Sequence, residues 1–326
     1  MKLKKNPCLA LAAVILTCGI HTDISAQQWP QRPVKMVVTA PPGGTADYLA
    51  RLVADRMGRE LNQSVSIDNR AGASGMLGAD LVAKSAPDGY TLLLTEGASL
   101  AINTTLRKDL PFNPRVDLQP VSLLATTPTI LVAGPGFAGS NMKDVLDAAR
   151  KEPGAVNYAT PGVGTPHHLA GAMLSKMAGV QMNHIPYKGG GAVVTDVASG
   201  QVQMLYTGVL GPLPFVKSGK LKGIAIGSSQ RSALLPDVPT FSESGFPGFT
   251  AEVFFGAFLP AKVPQDVTST LSKAMETAMN DPEVRKKLAE QALDAAGSSP
   301  EQLGEHFAKE TAKWAEVIQS SGVTLD

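Results

Sequence analysis

Two segments of the chain combine glycine, a capping hydroxyl and a helix start in a way that suits an anion. Pro42-Gly43-Gly44-Thr45-Ala46-Asp47 follows a β-rich run and opens a helical pattern. Glycines there let a bound group approach the backbone. The unpaired N–H groups of the first helical turn, with the helix dipole, favour negative charge. The same residues also suit a plain strand-to-helix turn in which Thr45 caps the helix. Their spacing fits neither GxxxxGK(S/T) nor GxGxxG, which argues against a nucleotide. The second segment is Thr160-Pro161-Gly162-Val163-Gly164-Thr165-Pro166-His167-His168. Thr165 suits the N-cap and Pro166 the first helical position. Backbone N–H groups of Gly164, Thr165 and His167 could face a second acidic group, whereas Pro166 has none to offer. His167 and His168 are adjacent and diverge by about 100° on a helix, which makes a poor metal chelate. His167 suits a polar contact to a ligand; alternatively both histidines sit on the helix surface or a cleft rim.

A third segment, Thr95-Glu96-Gly97-Ala98-Ser99, follows another predicted strand and is read as a loop at its carboxyl end, where open α/β sheets bind ligands. Glu96 is expected to be a solvated loop charge, with pairing to a ligand cation as the other reading. Tyr187-Lys188-Gly189-Gly190-Gly191 opens a further helix, and Lys188 is its only cation. No GxSxG, HExxH, CxxC or HxE pattern is present, and neither Asp47 nor Asp196 has a sequence partner that suggests a carboxylate dyad. The expectation is no catalytic residue, no metal and no cofactor.

The elements that position these segments alternate. Strands are predicted at 34–39, 65–68, 91–95, 130–133, 156–159, 182–185, 202–206, 221–226 and 253–259, with helical patterns between most of them. Strand–helix–strand order implies parallel sheets with right-handed crossovers. Asp281-Pro282-Glu283 and Ser299-Pro300-Glu301-Gln302 read as helix starts, the second a capping box. Continuous strands near 125–133 and 249–259 are candidate crossings between two lobes.

The 326 residues are 44% hydrophobic and 17% charged with a net charge of +1, which disfavours disorder and a nucleic-acid partner. Lys2, Lys4 and Lys5 precede an apolar stretch from Cys8 to Ile20, a pattern of an export signal with cleavage after Ala26. Removing residues 1–26, with three lysines and one aspartate, leaves 300 residues carrying 26 basic and 27 acidic side chains. Both cysteines, Cys8 and Cys18, fall in that leader, so the mature chain would have no disulfide or thiol chemistry. Lipidation at Cys18 is disfavoured by Thr17. The expected compartment is the periplasm.

The chain resembles the Bug receptors, the substrate-binding proteins of tripartite tricarboxylate transporters. The resemblance runs through Trp29-Pro30-Gln31-Arg32-Pro33-Val34, Pro42-Gly43-Gly44 with Asp47, Asn69-Arg70-Ala71-Gly72-Ala73 and Ala86-Pro87-Asp88-Gly89-Tyr90. It continues through Pro186-Tyr187-Lys188-Gly189, Gly200-Gln201-Val202 and Leu235-Pro236-Asp237-Val238-Pro239-Thr240. It implies an α/β, two-lobe periplasmic-binding-protein clamshell of type II, each lobe a mostly parallel sheet flanked by helices. Residues 27–128 with 252–326 would form one lobe and 129–251 the other. It implies a monomer that closes on a small carboxylic acid, holds it by backbone amides and water, and delivers it to membrane transporter subunits. The site residues implied are Gly44, Thr45 and Asp47, then Gly162, Gly164, Thr165 and His168, and Ser99, beside the loop residues Pro42 and Gly43. Val163 and His167 depart from the Asn and Ser common in the family. Thr207-Gly208 replaces an acidic or amide pair, which points to a carboxylate with an apolar or aromatic body. A periplasmic sensor is the alternative, and an exported hydrolase ranks far below.

Overall fold

From Val34 onward strands and helices alternate as their periodicities predict. The computed structural model describes residues 29–324, so the leader lies outside the described residues. The order is β1 (Val34–Val38), α1 (Thr45–Glu60), β2 (Val65–Asn69), a 3₁₀ turn at Ala73–Gly75, α2 (Met76–Ala83), β3 (Thr91–Glu96), α3 (Gly97–Leu106), α4 (Pro114–Asp117) and β4 (Leu118–Ala133). Next come α5 (Met142–Lys151), β5 (Asn157–Thr160), α6 (Pro166–Ala178), β6 (Asn183–Pro186), α7 (Gly190–Ala198), β7 (Met204–Gly208), α8 (Leu213–Lys217) and β8 (Lys222–Ile226). The chain closes with β9 (Glu252–Pro260), α9 (Gln265–Asn280), α10 (Pro282–Ala289), β10 (Asp294–Ala295) and α11 (Pro300–Ser321).

Strands β2, β1 and β3 run parallel, and β9 and the first part of β4 add to them antiparallel. From Thr129 on, β4 leaves β9 and pairs with β7 and β8, while β7, β5 and β6 run parallel. One long strand therefore serves both halves of the sheet. The sequence prediction reached only its second half, because Pro120 and Pro128 interrupt the run. Register shifts at Pro120/Ser122 and Leu123/Ala125 absorb the irregularity. Where the chain crosses back, Thr129 accepts from the Gly227 amide at 2.8 Å and donates its hydroxyl to the Ala251 carbonyl at 2.8 Å. A Cβ on Gly227 would lie 2.4 Å from that carbonyl, so only glycine allows this approach.

Both faces of the first half are covered, which is why the centres of β1 and β3 are continuously apolar, Met36–Val38 and Leu92–Leu94. Met36, Val38, Leu92 and Leu94 pack under Leu49, Val53 and Met57 of α1 and Leu271 and Met275 of α9. On the opposite face Val37 and Leu93 meet Ala79 of α2, Ile102 of α3 and Phe307 and Trp314 of α11. The second half has its own clusters, around Tyr158, Tyr206 and Phe241 on one side and Val193, Val197 and Leu205 on the other. Capping at the starts of α10 and α11 is as the sequence predicts. Asp281 accepts from the amides of Glu283 and Val284, and Ser299 and Gln302 form the capping box.

Candidate functional site

The carboxyl ends of β1, β2, β3, β5 and β6 carry the loops that converge. In the first loop Gly43 has φ +81°, a left-handed backbone that glycine adopts without steric cost. Its amide donates to Asp47 Oδ2 at 2.9 Å. Arg51 Nε donates to the same oxygen at 2.9 Å, and Arg51 Nη2 and Asn69 Nδ2 donate to Oδ1 at 2.9 and 3.0 Å. Burial would raise the Asp47 pKa, but these hydrogen bonds and the Arg51 charge outweigh it and hold the carboxyl below its usual range. Asp47 thus braces the loop with both oxygens engaged there. Gly44, not Thr45, is the N-cap of α1; it has no side chain to cap with, and Thr45 is the first helical residue. This removes the alternative in which Thr45 caps a plain turn, and it leaves the first amides of a sixteen-residue helix without a capping side chain.

The second loop follows its predicted chemistry more closely. Thr165 is the N-cap of α6, with Pro166 at the first position. Its hydroxyl donates to the Gly162 carbonyl at 2.7 Å and accepts from the His168 amide at 3.3 Å. The Gly164 amide is directed to His168 Nδ1 at 3.4 Å, so of the three amides expected to face a ligand, those of Thr165 and His167 keep that role open. His168 does not sit on the helix surface. It stacks on His184 with ring centroids 4.0 Å apart, and His184 Nε2 meets the Thr160 hydroxyl at 2.7 Å. Burial pushes His168 down to about 4. Burial and the neighbouring His168 push His184 down to about 3. His167 is also buried, with neither ring nitrogen hydrogen-bonded, and burial pushes it down to about 3.

Two residues that sequence reasoning did not single out tie this loop to the other half of the molecule. Ala73 and Ser74 hold left-handed backbone (φ 47° and 55°), and Ser74 Oγ donates to the Val163 carbonyl. Asn103 Nδ2 donates to Ser99 O at 2.8 Å and across to Gly164 O at 2.9 Å, while its Oδ1 accepts from Arg107 Nε at 2.9 Å. Asn103 had a legible signal, a polar residue one helical turn beyond Ser99 next to the apolar run Leu100-Ala101-Ile102. Ser74 had none. A Cβ on Gly189, the N-cap of α7, would lie 3.3 Å from Pro41, which places that helix start beside the first loop.

The third segment is not a loop. Gly97–Leu106 is helix α3, Glu96 is its N-cap and Ser99 lies in its first turn. Ser99 Oγ donates to Glu96 Oε2. Glu96 is half-buried and hydrogen-bonded to Ser99 rather than freely solvated, and burial pushes it up to about 7 against the partial opposing effect of that hydrogen bond. Lys188 is exposed and makes no ion pair among the described residues. Thr207 lies one residue before the end of β7, opposite Ile130 of β4, with no hydrogen bond among the described residues linking its side chain to either glycine loop. Among the described residues no group of three or more His, Cys, Asp or Glu is placed to hold a metal. A depression of about 440 Å³ between α5 and α6 and another of about 700 Å³ beside β2 lie away from these loops.

Comparison with known proteins decides the family. The family model described as "Tripartite tricarboxylate transporter family receptor" matches residues 49–323. The chain belongs to that receptor family. It is 35% identical to protein BugT of Bordetella pertussis over 312 residues, covering 95% of this chain and 96% of BugT. A solved R. palustris protein with adipate is 30% identical with a TM-score of 0.87, covering 91% of this chain and 99% of that one. MatC from Rhodopseudomonas palustris with bound malate is 29% identical with a TM-score of 0.84, covering 89% and 100%. These likenesses bear out the expected fold class, the two-lobe α/β clamshell of periplasmic binding proteins. Among the described residues no helix of this receptor-family chain is long and apolar enough to cross a membrane.

Proposed function

We propose that this chain is a periplasmic solute receptor that closes on a small carboxylate and delivers it to the membrane subunits of a tripartite transporter. The observation that carries the reading is the tie between the glycine loops of the two halves: Asn103 Nδ2 donates to Gly164 O at 2.9 Å, Ser74 Oγ donates to Val163 O, and the start of α7 at Gly189 lies beside Pro41. Pooled N–H groups and helix dipoles stabilise a carboxylate without a lysine or arginine in the site. The ligands in the two R. palustris relatives, adipate and malate, are dicarboxylates and support that class. In this reading Gly44, Thr45, Gly162, Thr165 and His167 touch the ligand. Pro42, Gly43 and Asp47 shape the first loop, Gly164 and His168 shape the second, and Ser99 and Thr207 line the approach. The two lobes are 27–128 with 252–326 and 129–251, and the described part of each moves as one body about the crossings of β4 and β9. Residues 1–26 are the export signal, and mass spectrometry of the exported protein should find a start near Gln27 without lipid.

The binding does no covalent chemistry; closure pools the two amide sets around the ligand. The test is a thermal-shift screen of carboxylic acids that includes adipate and malate. A ligand that binds only the folded state raises the melting temperature. Stabilisation by a carboxylate and not by its amide analogue is expected. If no carboxylic acid stabilises the fold, the reading fails.

A further inference from the structure

Glu96 occupies a place the receptor reading does not use. It lies one residue past Leu94–Thr95 on β3, in the row next to Ala40, because Val38 pairs with Leu94 and the Thr39 amide donates to the Leu94 carbonyl at 3.2 Å. The first glycine loop therefore starts beside it. Glu96, Ser99 and Asn103 stand at i, i+3 and i+7 along α3 and share one face. Asn103 on that face reaches the second loop at Gly164, and Ser99 reaches Glu96. Glu96 is thus tied through Ser99 and Asn103 to the second loop, and the β1–β3 register sets its backbone beside the start of the first. On its other side the wall is apolar. Phe255 pairs opposite Glu96 on β9, and a Cβ on Gly97 would lie 2.0 Å from the Phe254 ring.

We propose that Glu96 is a specificity-determining residue that stays protonated in the complex and donates its O–H to the bound carboxylate, so that binding of a dianion above neutral pH takes up one proton. This rests on the receptor reading. The physical reason is charge. A second carboxylate brought beside an ionised Glu96, in a site closed to water, meets like-charge repulsion that a neutral acid converts into a hydrogen bond. No neighbouring group offers the compensating cation. On α1, Asp47 is already engaged by Arg51, Gly43 and Asn69. On α3, Arg107 is bonded to Asn103. On α6, His167 and His168 are held neutral by burial. On α11, His306 faces the Phe254 ring edge-on with centroids 4.5 Å apart. Lys188, before α7, is exposed. Glu96 is itself held near half-ionisation at neutral pH by burial, so the proton is available at small cost.

The experiment uses the carboxylate found by the screen, with adipate and malate as the first probes. Titration calorimetry at pH 8 in buffers of different ionisation enthalpy should show uptake of nearly one proton per ligand. Affinity should fall about twentyfold or more between pH 6.5 and 8.5, as linkage to a group titrating near 7 requires. Glu96→Gln supplies an amide N–H that never titrates, so its affinity should be flat across that range and its uptake zero. Carboxyl ¹³C NMR of the ligand-free protein should show Glu96 titrating near neutrality, independently of any ligand. Binding without proton uptake, or the same pH dependence in Glu96→Gln as in the native chain, overturns the inference and leaves the receptor reading standing. Failure of every carboxylate to bind at any pH overturns both.

Discussion

Acidification from pH 7.5 to 5 should destabilise this protein through its buried and half-buried imidazoles. His167, His168 and His184 are held neutral in the native state, pushed down to about 3, 4 and 3 by burial, with His168 adding to the effect at His184. In the unfolded chain the same imidazoles take up protons below about pH 6.5. Stability is therefore complete above that pH and falls as pH drops. At pH 5 each imidazole accounts for a loss of about 2 kcal/mol, and the three for about 6 kcal/mol. The figure hardly depends on where the native values lie, provided they stay near 4 or below. Glu96 acts in the opposite direction. Its carboxyl keeps its proton to about pH 7, whereas the unfolded residue releases it near 4.5. Lowering pH from 7.5 to 5 thus restores about 2.5 kcal/mol. The imidazoles win, and the net loss is about 3.5 kcal/mol. Urea unfolding followed by the fluorescence of Trp314, which is fully buried, reads this directly. The midpoint should fall by about 1 M between pH 7.5 and 5 for a slope of a few kcal/mol per molar. His168→Gln with His184→Gln removes two of the three losses and leaves a nearly flat midpoint over that window. A native midpoint that does not fall, or an equal fall in the double variant, would refute the reasoning.

Other expectations follow from the loops and are read by calorimetry with a carboxylate found in the screen. Gly44→Val keeps an allowed helix-entry backbone but sets a Cβ 3.2 Å from the Pro41 carbonyl and branches into the approach to the α1 amides. It should weaken binding by about tenfold or more with the fold intact, and unchanged affinity would remove this loop from the site. Lys188→Ala should cost on the order of 1 kcal/mol or less, as for a screened exposed charge. A thousandfold loss would mean that a lysine, not backbone amides, holds the ligand acid. Asn103→Leu removes the donor to Gly164 O and should destabilise the fold by about 1–3 kcal/mol. Amide exchange in residues 162–165 should speed up, and protection equal to that of the native chain would count against the bridge.

Much of the local structure was legible in the order of residues. Asp281 before Pro282, Ser299 three residues before Gln302, and Thr165 before Pro166 all cap as read, because a cap is made by groups within one helical turn. The alternation of strand and helix, and the motifs shared with the receptor family, were legible for the same reason. What the local pattern could not reveal depends on neighbours far away in the chain. The start of α3 reads as a loop in sequence because it directly follows a predicted strand; packing of α3 on β9 and α11 makes it helix. The sixteen-residue β4 is hidden by Pro120 and Pro128, and only its partners on both sides show that the strand continues. Asp47 Oδ1 is engaged in part by Asn69, which arrives from the next strand. Residue type announces that a carboxylate, an imidazole or an amide is present. Whether that group is solvated, braced or left free for a ligand is set by desolvation and by hydrogen-bond partners, and both exist only once the chain has closed around it.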